Sequence, residues 1–154
     1  MRVEPDERIA VAIPRPEDLT PADTSSYVKP VLADALRQYH PRVDEFSFGM
    51  SPGSEEIGGL AERLAKYDVV IMGTINATAH PGQAELVRKL INQGTRVVTV
   101  ALRMPYDLAV YPAASTYVCT YSILPPSMDA LAEALFGRIP FTGSLPVSIP
   151  QKIH

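Results

Sequence analysis

The chain has 154 residues with ordinary apolar content, 20% charged residues and a formal net charge of −3, which suits one globular domain. The charge is mixed and has no basic run, so nothing marks a nucleic-acid or anionic-membrane surface. A single cysteine, Cys119, excludes an intrachain disulfide framework.

No run approaches membrane-spanning length, and the polar start Met-Arg-Val-Glu-Pro-Asp-Glu has no apolar signal core. The chain as given is therefore expected in the cytoplasm if complete, or outside the cell if excised from a secreted enzyme. Cys119 sits in an apolar strand and reads as a small buried apolar side chain rather than a reactive thiol. Fifteen prolines fall mostly between elements and point to rigid loops.

In chain order, Arg8–Ile13 reads as a first strand ended by Pro14. The loop 15–24 carries three acids and two prolines. Thr24 or Ser25 then caps a helix whose stripe is Val28, Val31, Leu32, Ala35, Leu36 and Tyr39, with Pro30 in its first turn. Val43–Phe48 is a short strand. Ser54, followed by Glu55 and Glu56, starts a helix burying Ile57, Leu60, Ala61 and Leu64.

The central unit spans Lys66–Ser122. Asp68–Gly73 and Arg96–Leu102 are apolar, β-branched runs that suit strands covered on both faces. Between them, Pro81–Gln93 places Ala84, Val87, Leu90 and Ile91 on one helical stripe, and Gly94 stops it. Strand, helix, strand at this spacing is a parallel βαβ unit. Residues 103–109 form a short turn or helical piece, and Tyr117–Tyr121 a fifth strand. Pro126 opens a last helix that buries Met128, Leu131, Ala134 and Leu135 and stops at Gly137. The proline-punctuated tail wraps the sheet or joins its edge, and 151–154 is an appendage to a single domain over 1–150.

That order predicts a flavodoxin-like α/β fold: an open, mostly parallel five- to six-stranded sheet with helices on both faces. Ligands of such sheets bind beyond the carboxyl ends of the strands, near the switch point. The polar residues there are Arg15, Thr74, Asn76, Thr78, His80, Arg103 and Asp107. One reading makes them a polar cleft for a sugar or an anion. The other makes Asn76 and Thr78 loop formers, His80 a helix-preceding residue and Asp107 the cap of the turn around Pro105.

His80 has no orienting carboxylate or nucleophile at local spacing. His40, His80 and His154 lack metal-ligand spacing, so no metal is expected. No Gly-x-Gly-x-x-Gly, phosphate loop or Gly-x-Ser-x-Gly elbow occurs, so no cofactor is expected and no self-sufficient catalytic constellation is visible.

Four stretches resemble the carboxy-terminal domain of the family-three glycoside hydrolases, in particular the β-N-acetylhexosaminidase branch. They are Tyr67–Gly73 leading to Asn76; Gln83–Ile91 with Gly94, Val97–Leu102 and Pro105–Leu108; Tyr117–Tyr121 with Pro126, Ser127 and Leu131; and Ala134–Gly137, Pro140–Gly143 and Leu145–Val147. The resemblance covers roughly residues 66–150; the first sixty match in fold pattern only.

The resemblance implies a partner (β/α)₈ barrel that holds the catalytic residues, and a barrel needs about 250 residues. In the β-glucosidase-like branch the second domain lends an acid after the third strand. Here that region reads Thr74-Ile-Asn-Ala-Thr-Ala-His80, without one. The chain is thus expected to be a non-catalytic domain of a β-N-acetylhexosaminidase-like enzyme acting on carbohydrate. Arg15, Asn76, His80 and Arg103 are its candidate sugar contacts, and an apolar patch should mark where the barrel docks. The competing readings are a flavodoxin-like module binding a sugar or nucleotide, and an independent hydrolase using His80.

Overall fold

The computed structural model describes residues 1–18 and 20–149. The appendage 151–154 lies outside them. Five strands, β1 (Ile9–Pro14), β2 (Val43–Phe48), β3 (Val69–Thr74), β4 (Val97–Ala101) and β5 (Tyr117–Cys119), form one sheet in the order β2-β1-β3-β4-β5. Every pairing is parallel. This is the flavodoxin-like order, whose switch point lies between β1 and β3.

Alternation along the strands divides the core. Ile9, Val11 and Ile13 of β1 and Val69 and Ile71 of β3 face α1 (Leu32–Arg37) and α4 (Pro125–Leu135). Ala10, Ala12, Val70 and Met72 face α2 (Ser54–Leu64) and α3 (Pro81–Asn92). β1 and β3 are buried at every position, so both of their faces read as apolar.

The faces of α2 and α4 are those the periodicity predicts, with Ala132 added to α4. In α3, Leu86 is buried with Ala84, Val87 and Leu90, while Ile91 is only half-buried. Gly94 and Gly137 end α3 and α4 with φ of 75° and 70°, the left-handed stop that glycine adopts without strain.

Three expectations need correction. The first helix does not start at Thr24 or Ser25: a 3-10 turn covers Ser25–Tyr27, Val28 is extended, and α1 begins at Leu32. Pro30 removes a backbone donor and biases Lys29 out of helical conformation, so the chain restarts beyond it.

The fifth strand is three residues long rather than five, because Tyr121 takes φ 57° and turns the backbone. The sheet has five strands, the lower of the two numbers expected, and the tail lies along its edge: residues 138–149 lack regular structure, and 140–145 border β5 and α4. Cys119 is partly exposed at the end of β5, where burial still pushes its thiol up from its ordinary pKa.

Candidate functional site

The loops leaving the carboxyl ends of β1 to β4 carry every candidate residue. Hydrogen bonds join them in two groups. In the first, the loop after β3 is held from both sides. Thr74 Oγ1 donates to Asp107 Oδ2 at 2.6 Å, and the Ala77 N–H donates to Asp107 Oδ1 at 2.9 Å. With its only proton committed to the carboxylate, Thr74 accepts from the Tyr111 hydroxyl at 2.9 Å.

Asp107 is 1% exposed. Its burial raises its pKa above the ordinary carboxylate value, although the bonds from Thr74, Ala77 and Thr78 pull the other way. Asp107 therefore caps the β3 loop across the sheet, not the turn around Pro105 that its sequence position suggests. Burial likewise raises Tyr111.

On the other side Gln83, 0% exposed, clamps the same loop. Its Oε1 accepts from the Ile75 N–H at 2.9 Å, and its Nε2 donates to the Ile75 carbonyl at 3.1 Å and the Met50 carbonyl at 2.8 Å. Gln83 thus ties the loop after β3 to the loop after β2. Sequence reasoning missed it because a buried glutamine beside an apolar stripe has partners distant in sequence.

His80 precedes α3 as expected, and it has a partner that local spacing did not reveal. Its Nδ1 lies 2.7 Å from Ser51 Oγ. A hydroxyl on an imidazole can exchange a proton, but the geometry builds no acyl-transfer site. The Asp107 carboxylate, whose charge interacts with His80, bonds Thr74 and the Ala77 and Thr78 backbone. The Pro52 carbonyl packs on Gly82 in the first turn of α3, where an oxyanion would seek backbone donors.

Asn76 sits in the same loop with φ 53°, a left-handed conformation that asparagine tolerates. Its Oδ1 is buried and has no hydrogen-bond partner among the described residues. Such an acceptor is the kind of group that a ligand donor or an ordered water satisfies.

The second group lies toward β1 and β4. Arg103 Nη1 donates to Asp23 Oδ2 at 3.1 Å and to Ser25 Oγ at 3.2 Å, which fixes the loop after β1 to the end of β4. Arg15 is held by its backbone N–H donating to the Phe48 carbonyl at 2.9 Å, with its guanidinium near Gly49. Arg103 makes no hydrogen bond or ion pair with Asn76 or His80 among the described residues. The structure thus gathers Asn76, Thr78, His80 and Asp107 on one clamped loop system, and leaves Arg15 and Arg103 on its flank.

Around these loops stand exposed apolar side chains: Tyr27 after β1, Met104 and Tyr106 after β4, and Tyr121 and Leu124 after β5. Aromatic, methionine and arginine side chains together are the composition of a buried interface core. Among the described residues no group of three or more His, Cys, Asp or Glu could hold a metal ion, and no helix is long and apolar enough to cross a membrane.

The parallel order, the switch point and the loop constellation define a flavodoxin-like α/β domain. No protein-family model matches the chain, and no curated protein does. Solved structures do. A fungal multi-domain family-three β-N-acetylglucosaminidase, described as having a GCN5-related glucosamine N-acetyltransferase region, matches 97% of this chain at a TM-score of 0.80 and 25% identity. A family-three β-N-acetylglucosaminidase from Paenibacillus sp. strain FPU-7 matches 98% at 0.87 and 25%.

A Listeria innocua β-glucosidase solved with glucose matches 86% at 0.62 and 14% identity, covering 21% of that chain and sharing the fold alone. The chain corresponds to the carboxy-terminal domain of the family-three glycoside hydrolases. It spans 16% of the fungal chain and 29% of the Paenibacillus chain.

Proposed function

We propose that this chain is a non-catalytic domain of a β-N-acetylhexosaminidase-like glycoside hydrolase, working with a (β/α)₈ barrel that cleaves the glycosidic bond. The observation that carries this reading is the match to two β-N-acetylglucosaminidases over nearly the whole chain, at a fraction of their length. The loop after β3 supports it, because it holds no carboxylate able to serve as acid, base or nucleophile.

The apolar rim of Tyr27, Met104, Tyr106, Tyr121 and Leu124 is the surface offered to the barrel. Beside it, Asn76, His80 and Arg15 border the sugar cleft, with Asn76 Oδ1 as the free acceptor. Arg103 orders the loop after β1 through Asp23 and Ser25.

The test is hydrolysis of a chromogenic β-N-acetylglucosaminide by the purified chain, alone and with a separately expressed family-three barrel. The chain alone should be silent, and adding it should raise or stabilise the barrel's activity. Turnover by the chain alone, removed by His80→Ala or Ser51→Ala, would overturn the reading in favour of a hydrolase built on that pair.

A further inference from the structure

The open edge of the sheet carries a second feature, apart from the clamped loops. A groove of about 610 Å³ runs along β5 between α4 and residues 140–145 of the tail. Its walls present the rings of Tyr121 and Phe141 with Leu145, and hydroxyl-bearing side chains at Ser127, Thr142 and Ser144, while Tyr117 turns its ring to Tyr111 and Thr120 spends its hydroxyl on the Ser122 carbonyl. Among the described residues, not one charged side chain lines it. We propose that this groove binds a neutral oligosaccharide strand without cleaving it.

Three observations carry the assignment. Aromatic rings left open to solvent at a concave surface give flat apolar faces, and Phe141 and Tyr121 are 61% and 48% exposed. A sugar ring is apolar on its faces and hydroxylated on its rim, which matches rings flanked by hydroxyls. The lack of charge excludes phosphate-bearing and carboxylate ligands, which would be desolvated there without a counter-charge.

The second observation is the backbone. The Thr99 N–H donates to the Thr116 carbonyl, and the Thr120 N–H to the Ala101 carbonyl. Even-numbered residues therefore spend their peptide groups on β4. Alternation turns those of Tyr117 and Cys119 outward, into the groove. Amide donors and acceptors of this kind suit acetamido and hydroxyl groups on a sugar chain.

The third is strain. Tyr121 is held at φ 57°, rare for a bulky side chain, at the lip where the groove meets the apolar rim. That position makes the groove continuous with the carboxyl edge of the sheet. A peptide strand would fit less well, because β5 is only three residues long and Tyr121 ends its extended run.

The choice of a sugar rests on the glycosidase reading above, but its test is separate. The full chain is titrated with the linear tetramer of β-1,4-linked N-acetylglucosamine by calorimetry and by backbone amide shifts. Saturable binding with a Kd below about 1 mM is expected, with shifts confined to residues 116–121 and 140–145. Phe141→Ala and Tyr121→Asn should each weaken it about tenfold or more, and Tyr27→Ala should leave it unchanged.

No saturation at about 10 mM tetramer would overturn the proposal, as would shifts centred on the Asn76–His80 loop. So would sedimentation showing a dimer that Phe141→Ala dissociates, with no heat on adding sugar, because a second copy would then be the occupant. The barrel assay uses a single-sugar substrate that does not need the groove, so failure here leaves that reading standing.

Discussion

A β-carbon on Gly82 would lie 2.3 Å from the carbonyl oxygen of Pro52. The loop after β2 thus rests directly on the first turn of α3, and only glycine lets the two backbones approach so closely. Gly82→Ala forces a backbone shift and should cost about 1–3 kcal/mol in denaturant unfolding. It should also separate Ser51 from His80, read as a changed chemical shift of the His80 ring. An unchanged midpoint would show that this contact does not set the loops.

Gln83 tests the same junction chemically. Gln83→Leu fills the space but strands the Ile75 N–H and the Met50 carbonyl, at a cost of about 2–4 kcal/mol. Gln83→Glu keeps the acceptor for Ile75 but points a carboxylate at two carbonyls unless it is protonated. The Glu variant should therefore lose more stability at pH 8 than at pH 5. Chemical denaturation at both pH values measures the difference, and an equal loss would refute the assigned bonds.

Asp107 gives a pH signature. Its folded pKa lies above its unfolded value, so the folded state holds the proton more tightly. Its contribution to stability is greatest below the unfolded value of about 3.9 and falls as pH rises through the folded value. Asp107→Asn removes that titration. The stability of the wild type relative to Asp107→Asn should decline across that window and then level off. A relative stability that rises over the same window would mean that the hydrogen bonds outweigh burial.

The strands and most helix faces were legible because their signals are local. Ile57, Leu60, Ala61 and Leu64 repeat at helical spacing, and Val69–Thr74 is apolar throughout because both of its faces are covered. The first helix was misread where local signals conflict: the apolar stripe runs through Pro30, but the missing donor wins over periodicity.

The site was legible only in location. Asn76 and His80 lie on the loop after β3, as their order in the chain suggests, but Ser51, Gln83 and Asp107 find partners far along the chain. No spacing rule links Gln83 to Met50. The partial exposure of Cys119 goes unread for a related reason, since an edge strand and an inner one share an apolar pattern.

The division of the core between two faces also sets an order of assembly. α2 and α3 are sequence neighbours that pack together, so their face closes once β1 has inserted between β2 and β3, all within the contiguous stretch 9–101. α1 and α4 lie near opposite ends of the chain, yet they pack together, and the Met1 ammonium donates to the Leu135 carbonyl. Ile9, Val11 and Ile13 keep their α4 cover only once residues 125–135 have docked. In refolding, the α2–α3 face should protect its amides first. The α1–α4 face then remains the sticky surface of the late intermediate, and it is there that aggregation would begin.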